Sequence, residues 1–318
     1  MNVDLTGKPI LIAGASSGIG AATAIACAKA GMPVLLTARR EDKLKAVAER
    51  VRESGAAAEY TSADVTSPDD CERAVTTCVE RFGSIYSVFA NAGYGFEATV
   101  ADCLADDPSS PDTDRIRAIF ETNFFGTLNA IRPAIPRMVE AGAGHVLICS
   151  SSIGKFAVPR YGPYCASKAA QWHIGRAMNA ELRSKGVFTS TVHPIGTKTE
   201  FFDEAAKRSN GKNLAENTPS FLMQPPERVA RAIVKCLRKP RAEVWTNLPV
   251  KILAGLFTAA PNATDWMLRG AAKERRSPHR RVPQFHLVGA YPDSSKMSSS
   301  FAGCSFSFSQ HSGSHSSF

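Results

Sequence analysis

The run Lys8 to Gly31, KPILIAGASSGIGAATAIACAKAG, leaves this chain few folds. KPILIA is apolar without polar alternation, as a short strand buried on both faces reads, and it feeds directly into a glycine turn and an Ala-rich helical stretch. Gly14, Gly18 and Gly20 stand in a G-x-x-x-G-x-G spacing. Glycines so placed let the backbone turn sharply, approach a pyrophosphate closely and pack the helix on the sheet. The N–H groups of Ser16, Ser17 and Ile19, with the positive end of the helix, then face the phosphates. Glycine-rich turns join many strands to helices, so the position after a strand and before a helix is what makes this one a dinucleotide site.

The pattern then repeats. PVLLTARREDKLKAVAERVRESG is a second apolar run followed by an amphipathic helix. An acidic residue at the end of this second strand would suit the 2′-hydroxyl of NAD, whereas arginine accommodates the 2′-phosphate of NADP. The residues here are Ala38, Arg39 and Arg40, so NADP(H) is expected over NAD(H), with Ser16 as a second phosphate contact. Cations are disfavoured at a helix N-terminus, which leaves both arginines wanting a partner. A third strand is expected to end at Asp64 and Val65, and a helix to run to about Phe82. SIYSVFANAG reads as a fourth strand with a turn at Asn91, Ala92 and Gly93, and Ala101 to Asp114 reads as a loop. A long helical pattern carries Asn123 and is interrupted by Pro133 and Pro136, and HVLICS is a fifth strand. Such regular alternation predicts an α/β fold, a Rossmann-type doubly wound parallel sheet in three α/β/α layers.

The fifth strand leads into SSSIGKFAVPRYGPYCASK. Tyr164 and Lys168 are four residues apart, so on a helix starting near Pro163 they share a face. A free phenol, with a pKa of about 10, exchanges protons poorly near neutrality. An ammonium within roughly 4–6 Å favours the phenolate, so Lys168 is expected to lower the Tyr164 pKa. Ser151, thirteen residues earlier, can donate a hydrogen bond to a carbonyl oxygen and hold it against the phenol. A proton donor and an orienting hydroxyl make a reductase only beside a hydride carrier, which the glycine turn would hold.

Charge narrows the partners. Of the net +9, residues 201–281 contribute 16 Lys and Arg against 7 Asp and Glu, while residues 1–200 balance at 21 against 21. That asymmetry argues against a nucleic-acid binder. The eight cysteines form no CxxC pair, which suits a reducing, cytoplasmic setting. The N-terminus lacks a secretory pattern, no window is apolar enough to span a bilayer, and no metal site is expected.

In ordered sequence, GASSGIG, ADV, NAG, ETNFFG, SSxxG followed by YCASK, and HPIGTKTEFF resemble the short-chain dehydrogenase/reductases over roughly Lys8 to Pro249. The resemblance implies that Asp64 and Val65 meet the adenine, and that Asn91 and Gly93, with Ala92 between them, line the cofactor on the nicotinamide side. Tyr164 would be the general acid/base, Ser151 would orient the carbonyl, and Lys168 would bind the nicotinamide ribose. Asn123 would hold a water linking Lys168 to solvent. Thr197 and Thr199, after Pro194, would contact the carboxamide and phosphates. The small-molecule substrate would be a carbonyl compound or alcohol, and the enzyme a homodimer or homotetramer paired through the helices holding Asn123 and Tyr164. Three residues depart from the pattern: Ala13 before the first glycine, Ala90 for the first asparagine of NNAG, and Ile195 for the glycine of Pro-Gly. A β-branched residue cannot easily take a positive φ, so Ile195 implies ordinary backbone and a more apolar wall.

Phe201, Phe202, Phe221, Leu222 and Met223 lie in the variable loop from Thr199 to about Pro225 and suggest an apolar substrate. A catalytic domain over 1–270 is expected to end in an apolar helical extension from about residue 248, suited to a lid, a subunit contact or, less favoured, a membrane surface with nearby basic residues. Residues 294–317 contain 12 Ser, so 271–318 is expected to be a disordered tail, and its His311 and His315 make a poor metal ligand set.

Overall fold

The computed structural model describes residues 2–104, 111–209 and 223–273. Within them β1 (Ile10–Ala13), α1 (Gly18–Ala28), β2 (Val34–Ala38), α2 (Glu41–Arg52), β3 (Ala58–Ser62), α3 (Pro68–Phe82) and β4 (Ser87–Ala90) alternate without interruption. After α4 (Val100–Cys103) and α5 (Pro111–Phe120) a π turn over Glu121–Phe125 leads into α6 (Gly126–Ile131) and α7 (Ala134–Glu140). Then follow β5 (Gly144–Cys149), α8 (Gly162–Leu182), β6 (Val187–His193), the short β7 (Gly196–Thr197), α9 (Phe201–Lys207) and β8 (Met223–Gln224). The described chain closes with α10 (Pro226–Arg238), β9 (Glu243–Trp245), α11 (Leu248–Ala259) and α12 (Pro261–Lys273).

Seven strands form one parallel sheet in the order β3-β2-β1-β4-β5-β6-β9. The expected doubly wound α/β fold is therefore present, and its physical basis is visible in β1. Ile10 and Ile12 point into a core shared with Ala24 and Cys27 of α1, Leu44 and Val51 of α2 and Ile233 of α10. Leu11 and Ala13 point into the opposite core, with Val75 of α3, Met138 of α7 and Met178 of α8. Because successive side chains alternate faces, a strand that is apolar at every position needs helices on both sides. The strand order reverses between β1 and β4, and the crevice beyond their carboxyl ends is where such sheets bind ligands.

Local signals set the helix ends. Ser67 caps α3 by accepting from the Asp70 N–H at 3.2 Å, Pro68 opens the helix, and Gly83 closes it at φ 80°.

Several expectations are corrected. Asp64 and Val65 lie past β3, which stops at Ser62, and Asp64 instead folds into a turn, accepting from Thr66 N and Oγ1 at 2.9 Å each. The segment expected as a loop from Ala101 to Asp114 contains the ends of two helices, α4 and α5. The helical pattern carrying Asn123 is interrupted at Pro133 as expected, but not at Pro136, which sits in the first turn of α7, where its missing N–H costs nothing. The C-terminal extension is two helices separated at Ala260, and α12 runs past the expected boundary at 270. Leu248, Ile252 and Leu256, one stripe of α11, are exposed, as are Trp266 and Met267. Phe221, Leu222, His311, His315 and the Ser-rich tail lie outside the described residues. Among those described, no helix is long and apolar enough to cross a membrane.

Gly186, at φ 78°, turns the chain into β6, and a Cβ there would collide with the Gly142 carbonyl; Gly142, at φ 61°, has open space instead. Gly186→Ala should therefore destabilise by about 2–4 kcal/mol, combining a left-handed penalty with overpacking, and Gly142→Ala by only about 1–2 kcal/mol. Urea denaturation of both variants checks this contrast.

Candidate active site

The glycine turn is closed by contacts only hydrogen side chains permit. Gly14 has φ 81°, and a Cβ there would lie 2.7 Å from the Ala92 backbone. A Cβ on Gly20 would collide with the Gly14 carbonyl, which accepts from Asn91 Nδ2 at 2.9 Å. Gly18, at φ 55°, meets the Thr199 methyl group, 2.9 Å from the position of an added Cβ. The start of α1 has no acidic residue in its first turn, and Ser17 makes no side-chain cap bond. Its orphan N–H groups and positive pole suit an anion, so the residues present fit the pyrophosphate of a dinucleotide.

The two arginines after β2 part company. Arg40 Nη2 donates to Ser16 Oγ at 2.9 Å and to Ser17 Oγ at 3.1 Å, joining the glycine turn. Arg39 turns away, 71% exposed, with Nη1 3.8 Å from Asp64 Oδ2. Val65 is anchored through its carbonyl, which accepts from Asn129 Nδ2 at 3.0 Å.

At the other end of the cleft, α8 begins at Gly162 and places Tyr164 and Lys168 one turn apart, as the spacing predicts. The Lys168 ammonium is buried, donates to the Cys149 carbonyl and to Gln171 Oε1 at 2.9 Å each, and lies 5.6 Å from the centre of the Tyr164 ring. The Ser151 hydroxyl lies near enough to the Tyr164 phenol to favour its ionised form. Gly93 lets the turn after β4 come close: a Cβ there would sit 2.9 Å from Asn123 Oδ1 and 3.4 Å from Lys168 Nζ. Asn123, buried in the π turn, accepts from Tyr94 N at 3.0 Å and donates to Tyr94 O at 2.9 Å.

One expectation about this cluster changes. Burial pushes the Tyr164 phenol up, and the Ser151 hydroxyl only partly offsets it, so the expected lowering by Lys168 is absent. Burial also pushes Lys168 down, which weakens the cation expected to act on the phenol. Gln171 links the two residues Asn123 and Lys168: its Nε2 donates to the Asn123 carbonyl at 2.6 Å while its Oε1 accepts from Lys168. Gln171 carried no sequence signal beyond its position three residues after the lysine.

The segment after β6 lines the remaining wall. The Pro194 carbonyl accepts from Ser152 N at 3.0 Å, and Thr197 Oγ1 donates to Ile195 O at 2.8 Å. Ile195 is buried, and among described non-glycine residues only Arg160 has a positive φ, so the backbone at Ile195 is ordinary as expected. Thr199 Oγ1 donates to Thr197 O at 3.2 Å, and the Phe201 ring lies 5.8 Å from that of Tyr164. Behind Ser151, His193 Nδ1 is 3.1 Å from the Ser151 carbonyl, and its ring stacks on Trp245 at 4.6 Å. No group of three or more His, Cys, Asp and Glu among the described residues could hold a metal.

Comparison with known proteins places this geometry. Residues 8–210 match the family of short chain dehydrogenases. The chain is 36% identical over 231 residues to an A-factor type gamma-butyrolactone 1'-reductase (1S-forming) of Streptomyces virginiae, covering 72% of this chain and 87% of that protein. It is 37% identical over 180 residues to 11-beta-hydroxysteroid dehydrogenase 1A of Arabidopsis thaliana, covering 56% of this chain and 49% of the relative. A short-chain type dehydrogenase/reductase of Mycobacterium marinum superposes with a TM-score of 0.64 at 29% identity, over 74% of this chain and 89% of that one. A short chain dehydrogenase/reductase of Burkholderia phymatum, in complex with NAD, shares the fold with a TM-score of 0.69 at 22% identity, over 88% and 99% of the two chains. The chain belongs to the short-chain dehydrogenase/reductase family and is an oxidoreductase using a nicotinamide dinucleotide.

Burial lowers His193 to about 4 and His145 to about 3. An unfolded histidine titrates near 6.5, so between about pH 6.5 and 4 the unfolded chain binds more protons. The stability from both neutral rings is complete above pH 6.5 and falls on acidification, by up to about 1.4 kcal/mol per pH unit for each ring. Urea denaturation at pH 7, 6 and 5 should show this decline, with a shallower slope for His193→Gln.

Proposed function

We propose that the chain is an NADP(H)-dependent oxidoreductase that interconverts an apolar ketone or aldehyde with its alcohol, with Tyr164 as general acid/base. The observation that carries this reading is the meeting of Ser151, Tyr164 and Lys168 beside Gly93, at the mouth of the glycine-turn cleft. Arg40, held on Ser16 and Ser17, supports the 2′-phosphate form of the cofactor. Ile195 and Phe201 support an apolar substrate, and the reductase and hydroxysteroid dehydrogenase names of the two relatives support a carbonyl/hydroxyl pair as the reacting group.

The bound nicotinamide supplies the hydride. Ser151 donates a hydrogen bond to the substrate oxygen and sets it against the phenol. Tyr164, kept protonated at neutral pH by burial, passes its proton to that oxygen as charge develops there. Lys168, held by Cys149 O and Gln171 Oε1 below the Tyr164 ring, would bind the nicotinamide ribose. Asn123 and Gln171 hold the ammonium in place, and Thr197 and Thr199 close the cleft on the cofactor side.

The exposed Leu248, Ile252 and Leu256 favour a second reading, in which the same chemistry runs at a lipid surface. Liposome sedimentation of the full chain against Ile252→Glu separates the two, since only a lipid-bound enzyme loses pelleting.

Tyr164→Phe should lower NADPH-dependent carbonyl reduction at least about a hundredfold, as loss of a general acid does, while NADPH still binds. Arg40→Ala should weaken NADPH about tenfold, the loss of one charge-assisted contact, and leave NADH unchanged. Tight NADPH binding without turnover across a carbonyl panel would point instead to a dinucleotide sensor or scaffold.

A further inference from the structure

Glu200 lies in the cofactor's anion site although it is 160 positions from Arg40. Its Oε2 accepts from Arg40 Nη1 at 2.8 Å and its Oε1 from Lys43 Nζ at 2.5 Å. The other guanidinium nitrogen of Arg40 is the one that donates to Ser16 and Ser17. Two cations thus meet on one carboxylate, while the Ser16 and Ser17 hydroxyls accept from the far side of the same guanidinium; cations and hydroxyls are the groups a phosphate monoester takes. All three charged side chains are about two-fifths exposed, at 42% for Glu200, 41% for Arg40 and 38% for Lys43. Ion pairs so exposed are weak and exchange with solvent anions. Lys43 and Arg40 hold the Glu200 carboxyl down at about 2, so it is an anion at any working pH.

The neighbours of Glu200 give its position a second meaning. Thr199 lies on Gly18 of the phosphate turn, and Phe201 lies beside the Tyr164 ring and over Gly95. Three consecutive residues therefore touch the pyrophosphate turn, the arginine site and the catalytic phenol. The carboxylate ties the start of α9 to the adenosine end of the cleft.

We propose that Glu200 is a specificity-determining residue, an internal carboxylate that the 2′-phosphate of the cofactor must displace from Arg40 and Lys43. This rests on the NADP(H) reading above and deepens it. A 2′-phosphate carries more charge and more acceptor oxygens than a carboxylate, so it wins the exchange, whereas the 2′-hydroxyl of NAD(H) offers no anion and leaves the latch closed. Glu200 then raises the threshold for NADP(H) binding, and its release frees the segment from Thr199 to Lys207 at the catalytic end.

Isothermal titration of full-length wild type, Glu200→Gln and Arg40→Ala with NADPH, NADH, 2′,5′-ADP and 5′-AMP tests this. Removing two exposed ion pairs should make Glu200→Gln bind NADPH and 2′,5′-ADP roughly three- to tenfold tighter, with NADH and 5′-AMP unchanged. Unchanged NADPH affinity in Glu200→Gln, with the preference lost in Arg40→Ala, overturns the role of Glu200 and leaves the cofactor assignment standing. Weaker NADH binding in Glu200→Gln also overturns it, because the carboxylate would then be holding a ribose hydroxyl. Equal binding of NADPH and NADH by wild type, unaltered in Arg40→Ala, removes the cofactor assignment and the proposal together.

Discussion

A buried ammonium organises this protein. Lys168 is 4% exposed, and a charge so placed is tolerated only where hydrogen bonds replace its water. Its acceptors come from two elements: the last carbonyl of β5 and the amide of Gln171 one turn along α8. Gln171 in turn donates to the Asn123 carbonyl and to Thr127 Oγ1, so the π turn and α6 belong to the same network. The Ser150 hydroxyl donates to the Lys168 carbonyl at 2.7 Å, fixing the start of the serine segment on α8. Sheet edge, helix and π turn must all be in register before the charge is satisfied, which is why catalytic geometry and fold share one set of bonds.

The cofactor end obeys a steric constraint instead. Gly14, Gly18 and Gly20 are places where a methyl group would strike Ala92, Thr199 or the turn's own carbonyl. The same device recurs at Gly93, where the turn after β4 approaches Asn123 and Lys168. The crevice at the reversal of strand order is thus held narrow by missing side chains at one end and by a satisfied charge at the other. The segment from Thr199 to Phe201 touches both ends, Thr199 at Gly18 and Phe201 at the Tyr164 ring.

Much of this was legible in the residues themselves. A strand apolar at every position demands helices on both faces, and the glycine spacing demands a turn that only glycine can make. Tyr164 and Lys168 share a helix face by arithmetic alone. What escaped was of another kind. Gln171 carries no motif, Glu200 and His193 lie in HPIGTKTEFF without an expected role, and the contacts of all three reach partners far away in the chain. The proton balance at Tyr164 is not readable from the sequence, which shows that a lysine is near but not how completely both groups are buried. Arg39 and Arg40 look alike in sequence, yet successive side chains leave the backbone in different directions, and only Arg40 reaches the turn.

The sequence by itself determined the layered sheet, the glycine turn and the shared helix face of Tyr164 and Lys168, because these follow from periodicity and local backbone sterics. Tertiary structure alone decided which arginine joins the glycine turn, that Glu200 pairs with it, and how burial tunes the phenol and ammonium. Those properties depend on desolvation and on contacts between distant segments, and neither is encoded in any local run of residues.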